Sequence, residues 1–349
     1  MYCCENCFKD RELKSIVKQS QIKNDCDFCS SKGVLVVELE NSEAIRNNFE
    51  ELLDVYDFVL DVEEQRRFCA KPIEKILVED WNIFNFDDVI VRRFISCLFP
   101  EKYIDAPFAV TRSLENGFLG EYSLIGHYEW EDFVEEIKRV NRFHTHKINE
   151  EILRKLVKAI CKQYKSGQEF YRARIWSGAE GYPKDKMGAP PFEKASAGRV
   201  SAEGIRCLYL ADSIETTLHE TRAGMHDRAT VATFRLKKDI DVIDLAALDS
   251  ISPFAGVDMT MLAINMRHLK KISADISKPL RKHDSNLDYL PTQYICDFIK
   301  SERFDGVEYN SVMHSNGINL AIFDEELFEC VDVKHYDITT IDYGHNEIL

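Results

Sequence analysis

The chain lacks a long apolar run. None of its 349 residues lie in a window that approaches the roughly 18 apolar residues a membrane-spanning helix needs. The N-terminus, MYCCENCFKDREL, carries charges where a signal peptide has its apolar core. We therefore expect a cytoplasmic protein with no membrane partner.

The chain is also short of positive charge. Its 45 Lys and Arg residues stand against 60 Asp and Glu residues, which gives a net charge of −15. Because binding to a phosphate backbone depends on clustered Lys and Arg, this balance opposes general nucleic-acid binding. There is no internal repeat and no low-complexity tract. A content of 45% hydrophobic and 11% aromatic residues indicates a globular protein with a sizeable core.

The cysteines do not form the even set of a disulfide framework. There are eleven in the chain, and two CxxC pairs, Cys4-x2-Cys7 and Cys26-x2-Cys29, lie near its start. Their spacing suits four thiolates around one tetrahedral Zn2+. Four thiolates leave no open position for water, so we predict a structural zinc. Cys3 is an alternative to Cys4 as a ligand.

Hydrophobic periodicity predicts helices in the middle of the chain. Apolar residues recur at steps of three and four in four stretches, Asn41 to about Glu64, Asp87 to Leu98, Trp130 to Phe143 and Asn149 to Tyr164. In the second stretch Val89, Ile90, Arg93, Phe94 and Cys97 are expected on one side. In the third, the residues expected to face inward are Phe133, Val134, Ile137 and Val140.

Strand patterns dominate after Gly167. Strands are predicted at Phe170 to Ile175, Cys207 to Ala211, Thr230 to Leu236, Val242 to Leu245, Phe304 to Tyr309 and Asn319 to Phe323. Helices are predicted after Asp212-Ser213 and at Pro291, with a helix-rich insertion from Ala246 to Lys282.

These patterns predict an α+β protein. We expect a zinc-ribbon-like segment at 1–40, a mainly helical domain at 41–165, a mixed β-sheet domain at 166–335 and a C-terminal tail at 336–349. Most of the polar residues that are candidates for catalysis or binding lie in the sheet domain.

Five places in the sheet domain make a pocket if the fold brings them together. They offer guanidinium groups, which suit phosphate or pyrophosphate, and a carboxylate, which can stabilise an oxocarbenium-like transition state beside a ribose. A phenol ring supplies a stacking surface. Such a pocket predicts cleavage of a dinucleotide at a glycosidic bond. The places are Arg172, the Gly198-Arg199 turn, Tyr209, the helix with Glu220, and the Asn310-Ser311 turn.

Each of these residues also has an ordinary interpretation. Glu220 alone would be a solvated helix carboxylate in most proteins. Arg222 suits a surface ion pair, and His219 suits a structural or exposed position. Only the combination favours a functional site.

A second constellation lies in the helical region. Arg139 and His144 have the RxxxxH spacing of the RNase motif in HEPN domains. A basic helix end followed by a His gives the same spacing, because cations are favoured near helix C-termini. The pair is compatible with an RNase or with a solvated helix terminus.

Four stretches in one order resemble the RES domain, a family named for its Arg, Glu and Ser residues. The resemblance runs from about Glu169 to Phe323. The N-terminal half is similar to the zinc-ribbon and helical segment, the HEPN/RES N-terminal domain, that precedes some RES domains. The stretches are FYRAR, AGRVSAEGIRCLYLADSIETTLHETR, DYLPTQYICDFIKSERFDGVEYNS and GINLAIF.

The resemblance implies a fold and an activity. The fold would be similar to that of diphtheria-toxin-type ADP-ribosyltransferases, and NAD+ would be the substrate. Many RES proteins are toxins of toxin–antitoxin pairs that destroy NAD+ by phosphorolysis or hydrolysis, and some transfer ADP-ribose to a protein. NAD+ phosphorylase or glycohydrolase activity and an antitoxin protein partner are therefore expected.

The resemblance also assigns residues. Catalytic roles fall on Arg172, which corresponds to the family's first-strand Arg, and on Tyr209, Glu220 and Ser311, which match its LYLA strand, its helix Glu and its Ser. Substrate binding falls on Arg172, Arg199, Tyr209 and Asn310. Where the family often has Gly-Arg-Trp/Phe-Asn-Pro, this chain reads Gly198-Arg199-Val200-Ser201-Ala202.

As a hypothesis, Arg172 and Arg199 hold the pyrophosphate or an attacking phosphate and Tyr209 stacks beside the nicotinamide. Glu220 steadies the ribosyl cation, and Ser311 binds the nicotinamide ribose or phosphate. The nicotinamide nitrogen of NAD+ is already positively charged, so no general acid is needed. ADP-ribosyl transfer to a macromolecule, an RNase and a non-catalytic nucleotide-binding protein remain alternatives. The acceptor and the oligomeric state stay open.

Overall fold

The computed structural model describes residues 1–59, 61–67, 70–100, 108–111, 121–278 and 285–341. The chain forms two compact units, each assembled from three segments. The first comprises Met1–Glu129, His146–Leu153 and Asp249–Lys270, and the second Trp130–Thr145, Arg154–Leu248 and Lys271–Leu349. None of the helices in the described ranges is both long and apolar enough to cross a bilayer.

Two small antiparallel sheets lie in the first unit. One has the strand order β1-β3-β2 and consists of β1 (Tyr2–Cys4), β2 (Lys23–Asn24) and β3 (Val34–Glu38). The other has the order β4-β6-β5 and consists of β4 (Tyr56–Val59), β5 (Lys71–Pro72) and β6 (Phe108–Thr111).

Helices of the first unit pack around an aromatic core. The helices before residue 100 are α1 (Arg11–Gln19), α2 (Glu43–Leu53), α3 (Val62–Arg67), α4 (Ile73–Lys75), which continues as a π-helix over Ile76–Asp80, and α5 (Asp88–Leu98). The Phe94 ring of α5 meets the rings of Phe8, Phe28, Phe49 and Phe84 at centroid distances of 5.1 to 5.8 Å. Aromatic rings at such separations add specific edge and stacking contacts to the burial of their surface.

Two details of the predicted helices are wrong. The helix that starts near Asn41 ends at Leu53 and not near Glu64, because Tyr56–Val59 pairs with β6 instead. On α5 the buried residues are Val91, Phe94, Ile95 and Leu98, while Val89 is 72% exposed. The predicted residues Ile90, Arg93, Phe94 and Cys97 have the same i, i+3, i+4, i+7 spacing as the buried set, so the prediction placed the buried stripe one residue too early.

The next two helices are shorter than predicted. Helix α6 (Trp130–Arg139) buries Phe133 and Ile137, but Val140 and Phe143 beyond its end are 81% and 82% exposed. Helix α7 (Glu150–Ala159) buries Ile152, Leu153, Leu156 and Val157. Tyr164 does not extend it, since Cys161–Tyr164 is strand β7 and pairs with β11 (Ile240–Asp244).

The second unit is built on a mixed sheet of eight strands among its described residues. Their order is β14-β10-β8-β9-β13-β12-β11-β7. All neighbours are antiparallel except β11 and β12. The remaining strands are β8 (Glu169–Trp176), β9 (Leu208–Ala211), β10 (Arg228–Leu236), β12 (Gly306–Asn310), β13 (Ile318–Ile322) and β14 (Phe328–Asp337).

Three further helices accompany this sheet in the chain. They are α8 (Ile214–Glu220), α9 (Met259–Ser277) and α10 (Leu290–Ser301). Helix α9 lies within the predicted insertion, of which residues 279–282 fall outside the described residues. Alternate residues of the strands fill one buried cluster, as the sequence pattern indicates. Its large members include Phe170, Leu210, Phe234, Leu320, Ile322 and Phe328.

The α+β class and the mixed C-terminal sheet are confirmed. The region predicted to be mainly helical also contains β4, β5 and β6, and the predicted tail begins inside β14. Residues 342–349 of that tail lie outside the described part of the chain. The similarity to ADP-ribosyltransferases stays a prediction.

Candidate functional site

A cleft of about 390 Å³ opens where the large sheet divides between β8 and β9. These strands pair only at Tyr171 and Ala211. The Arg172 side chain donates from Nη1 to the Tyr209 carbonyl oxygen at 2.8 Å, and the Thr217 hydroxyl accepts the Ala173 N–H at 2.9 Å. Side chains thus satisfy backbone groups that a continuous ladder would have used. The division of the sheet creates the space for a ligand.

Glu220 is the last residue of α8 and lines this cleft. Its Oε1 accepts hydrogen bonds from the Ser311 hydroxyl at 2.5 Å and from Asn319 Nδ2 at 2.7 Å. Within the described residues, Oε2 has no hydrogen-bond partner. A carboxylate at a helix C-terminus opposes the helix dipole. Two donors from other elements hold it there, so hydrogen bonds from outside α8 fix the position of the carboxylate in the cleft.

Arg172 brings a positive charge into the same cleft. Burial first, and the neighbouring charge of Arg174 second, lower the pKa of Arg172 to about 10, so that the guanidinium is charged at neutral pH. Its Nε is buried without a hydrogen-bond partner in the described part of the chain. No ion pair of Arg172 occurs there either. A partly buried cation whose buried Nε has no partner is costly unless an anion joins it.

The Gly198-Arg199 turn is held by α10. Gln293 donates from Nε2 to the carbonyl oxygens of Gly198 at 2.7 Å and Ser201 at 3.1 Å, and the Thr292 hydroxyl donates to the Arg199 carbonyl at 2.8 Å. Both side chains are at least nine-tenths buried. These bonds fix a loop that lacks the Asn and Pro common in the family's turn.

The Arg199 side chain lines the cleft but is already engaged. Nη1 donates to the Ile276 carbonyl and Nη2 donates to the Lys278 carbonyl at 2.9 Å. Its guanidinium also lies 5.9 Å from the centre of the Tyr309 ring. Since an arginine has five N–H donors, these two bonds leave others available for an anion.

Tyr209 and Tyr309 give the cleft two neutral phenols. The Tyr209 hydroxyl lies 3.1 Å from the Ser201 hydroxyl. Burial is the main cause that raises the pKa of both tyrosines above the ordinary value. A Cβ on Gly198 would lie 3.2 Å from the Tyr209 hydroxyl, so glycine permits the turn to approach this ring closely.

Ser311 acts on the cleft through Glu220. Besides donating to that carboxylate, its Oγ accepts the backbone N–H of Met313 at 3.2 Å and of His314 at 3.0 Å. Asn310 is the exposed last residue of β12. Among the predicted residues, the structure therefore brings Arg172, Arg199, Tyr209 and Glu220 into one cleft. Ser311 is joined to it by the bond to Glu220, and Asn310 is not part of the lining.

Several cleft residues were missed by the sequence interpretation. Asn319 could have been noticed as an amide within the apolar strand GINLAIF, where a buried polar group needs a partner. Arg222, interpreted as a surface residue, lines the cleft with a backbone φ of +53°. Tyr289 and Tyr309 carried no local signal. Polar lining residues outside the predicted set include Thr217, Arg222, Tyr289, Tyr309 and Asn319.

The N-terminal cysteines form a candidate metal centre in the first unit. The Sγ atoms of Cys4, Cys7, Cys26 and Cys29 all lie within 4.8 Å of one another. Cys4 Sγ is 3.3 Å from Cys29 Sγ, and Cys7 Sγ is 3.4 Å from Cys26 Sγ. Thiolates bound to one zinc at about 2.3 Å need separations near these. The set fits a closed four-thiolate site that includes Cys4. The buried Cys3 thiol lies 3.9 Å from the Cys4 carbonyl and also interacts with the Cys7 and Cys26 thiols.

The Arg139 and His144 pair shows ordinary surface contacts. Arg139 Nε lies 2.6 Å from the Glu135 carboxylate in an i, i+4 ion pair, and both side chains are more than 60% exposed. The exposed His144 receives a hydrogen bond from Asn141 at its carbonyl. These contacts match the solvated helix terminus.

Comparisons with known proteins address the unit that holds the cleft. The family model described as the RES domain matches residues 169–342. The chain belongs to the RES domain family. Every predicted cleft residue lies within the RES domain. Its β8, β9 and α8 contain the FYRAR, LYLA and ETTLHE stretches through which the sequence resembles the family.

A search of curated proteins found no significant match. Among solved structures, the chain is similar to one chain of the M. tuberculosis MbcT-MbcA toxin-antitoxin complex. The matched chain has 15% sequence identity, and the alignment covers 55% of this chain and 93% of that chain with a TM-score of 0.33.

Proposed function

We propose that this chain is an NAD+-consuming enzyme that cleaves the bond between nicotinamide and ribose. The proposal rests on two charged groups that line one cleft of the RES domain. In the part of the chain that is described, one is a carboxylate with a single hydrogen-bonded oxygen, and the other is a cation without a counterion. Glu220 is anchored through Oε1 alone, and Arg172 has no counterion among the described residues. The cleft volume of about 390 Å³ falls in the range of small-molecule sites.

The proposed reaction places positive charge next to Glu220. When the C1′–N bond breaks, its electron pair goes to the nicotinamide nitrogen, which loses its positive charge, and the ribose becomes oxocarbenium-like. A fixed carboxylate stabilises that charge as it develops. Because Ser311 and Asn319 hold Oε1 beforehand, little reorganisation is needed. Ser311 is then a positioning residue and not a direct ligand of the ribose.

The remaining residues would orient NAD+. Arg172 offers N–H donors to a phosphate group, and a charge-assisted bond would satisfy its buried Nε. Tyr209 and Tyr309 offer ring surfaces within the cleft. Arg199 has two donors engaged, so we assign it a supporting contact to the pyrophosphate or to an attacking phosphate.

The acceptor decides whether the enzyme is a phosphorylase or a glycohydrolase. Purified full-length protein would be incubated with NAD+ in buffer with and without inorganic phosphate, and the products separated and identified. Phosphorolysis yields nicotinamide and ADP-ribose 1″-phosphate only when phosphate is present. Hydrolysis yields nicotinamide and ADP-ribose in both buffers. Intact NAD+ in both, with folded protein, contradicts the proposal.

Two alternatives have distinct readouts in the same preparation. ADP-ribosyl transfer would leave label from adenine-labelled NAD+ on a macromolecule from added lysate. An RNase would cleave RNA in a manner that His144→Ala abolishes. A protein that only senses nucleotides would bind NAD+ without releasing nicotinamide.

The proposal extends to zinc and to partners. Cys4, Cys7, Cys26 and Cys29 would hold a structural Zn2+ that stabilises the N-terminal segment. RES-type NAD+ consumption would make the chain a toxin or defence effector, with an antitoxin protein as a partner. Expression of the chain should then deplete cellular NAD+ and arrest growth, and Glu220→Gln should relieve both effects. A cytoplasmic location stays a prediction.

A further inference from the structure

Two histidines and a carboxylate meet beside the cleft but outside its lining. Glu215 and His219 are four residues apart on α8 and therefore share one face of the helix. His314 comes from the turn between β12 and β13. One ligand atom from each of the three lies within 4.8 Å of the others. The proposed NAD+ chemistry uses none of these residues.

The two imidazole rings are arranged face to face. Their centroids are 5.0 Å apart and their planes differ by 3°. His314 Nε2 lies 3.7 Å from Glu215 Oε1. A metal ion lies in the plane of each imidazole that binds it, so one of these parallel rings must turn before both can share an ion.

The other nitrogen of His314 is fixed by a hydrogen bond. Its Nδ1 lies 3.0 Å from the Thr216 hydroxyl, and that hydroxyl also lies 2.7 Å from the Ser213 hydroxyl at the start of α8. Thr216 is fully buried. Metal-binding histidines characteristically use the second ring nitrogen in such a bond, which orients the first nitrogen toward the ion. Here that bond directs Nε2 toward the side of Glu215.

We propose that Glu215, His219 and His314 bind a divalent transition-metal ion, with Zn2+ as the preferred species. Two imidazoles and one carboxylate are a three-ligand set that zinc accepts with a fourth position open to water. Imidazole ligands favour Zn2+ over Mg2+ or Ca2+. Glu215 and His219 are exposed, so their side chains can close the remaining distance by rotation.

The ligands come from the two elements that position Glu220. His219 precedes Glu220 on α8, and the backbone N–H of His314 donates to Ser311 Oγ at 3.0 Å. A bound ion would tie α8 to the turn that follows β12. The inference concerns metal binding and holds whether or not the cleft consumes NAD+.

The test is zinc stoichiometry on the full-length chain. We would compare the wild type with His219→Ala and His314→Ala, and use His144→Ala as a matched control because His144 is exposed and outside the cluster. Far-UV circular dichroism and melting would verify folding. After dialysis against micromolar zinc, we expect the wild type and the control to hold one equivalent more than either cluster variant. Thr216→Val should lower the affinity for this additional zinc ion by about 10- to 100-fold.

Cobalt distinguishes this site from the cysteine cluster. Co2+ bound by thiolates shows intense sulfur-to-metal absorption, which a site of nitrogen and oxygen ligands lacks. The equivalent lost in His314→Ala should therefore carry no thiolate absorption. The proposal is overturned if the wild type and both cluster variants hold the same number of equivalents, or if the lost equivalent carries thiolate absorption.

Discussion

The two candidate sites of this chain are assembled in different ways. The four cysteines come from one short segment, Cys4 to Cys29, and each pair is separated by two residues. The cleft of the RES domain draws on Arg172 in β8, Glu220 in α8 and Asn319 in β13. Spacing along the chain defines the first site, while strand order defines the second.

The difference shows what each kind of site requires. Zinc demands four ligands at fixed distances, so a chain that supplies them locally must show a recognisable spacing. The cleft requires a divided sheet, in which β8 and β9 pair at Tyr171 and Ala211 and side chains take over other backbone bonds. Neither the missing pairing between β8 and β9 nor the side-chain hydrogen bonds that replace it produce a recognisable pattern in the linear sequence.

The largest effect should follow disruption of the local site. Cys7→Ser removes one of four thiolates, and structural zinc contributes about 10–16 kcal/mol of apparent binding energy in zinc-finger peptides. We expect the variant to lose one zinc equivalent and residues 1–40 to become sensitive to protease. Cys161→Ser, which changes an exposed cysteine outside the cluster, is the control. It should keep the zinc equivalent and the protease resistance of residues 1–40. Zinc retained by Cys7→Ser would show that spacing alone misidentified the ligands.

The next largest effect should come from the carboxylate of the cleft. Glu220→Gln keeps the shape and an acceptor for Ser311 and Asn319 but removes the negative charge. We expect NAD+ turnover to fall by about 10²- to 10³-fold, as for the loss of one electrostatic stabiliser. Glu203→Gln, at an exposed position, should behave like the wild type. Undiminished turnover in Glu220→Gln would show that the cleft is not a catalytic site for NAD+.

Much of the fold could be predicted from local patterns. The strands at Phe170 to Ile175 and at Thr230 to Leu236 alternate apolar and polar residues, and both lie in the sheet. Tyr56–Val59 was wrongly included in a helix because its two buried residues also fit a helical step. Its strand state depends on β6, which lies far along the sequence.

The candidate site was predictable in its members more than in their roles. Arg172, Tyr209 and Glu220 were selected for their chemistry as a set, since each is unremarkable in its own segment, and the RES resemblance then assigned their roles. Ser311 was expected on the substrate, but its bond to Glu220 depends on how the turn after β12 folds over α8. Asn319 was missed because its partner lies 99 residues away.

A smaller effect is expected at the partly buried cation. Arg172→Met keeps much of the side-chain volume but removes the donors, so ADP-ribose binding should weaken by about 10- to 100-fold, given about 1.5–3 kcal/mol for a hydrogen bond to a charged group. The melting temperature should change little, because removal of a charge without an ion pair offsets the loss of the hydrogen bond to the Tyr209 carbonyl. Titration calorimetry and thermal melting would measure both.

Two controls test whether charge is the cause. Arg235→Met, at an exposed arginine paired with Glu169, should bind ADP-ribose like the wild type. Even with its pKa lowered to about 10, the Arg172 guanidinium stays charged between about pH 6 and 9. The ratio of the affinities of the wild type and Arg172→Met should therefore stay constant over this range. A ratio that changes with pH there would contradict a role for this charge.

The smallest effect should come from Ser311, which sharpens the distinction between touching the substrate and positioning a residue that does. In Ser311→Ala the Asn319 amide still donates to Glu220 Oε1, so kcat should fall about 10-fold, near the lower end for one bond to a charged group. KM should stay unchanged. Ser301→Ala, at the exposed end of α10, is the control.

The double variant Ser311→Ala, Asn319→Ala decides how the two donors act. Because both bond the same oxygen, their effects should not add, and removing the second donor should cost more when the first is absent. Steady-state kinetics on the four proteins of this cycle would measure the coupling. Additive losses, or a rise in KM for Ser311→Ala alone, would indicate that Ser311 contacts the substrate directly. The distant segments of the cleft would then meet at the ligand and not at Glu220.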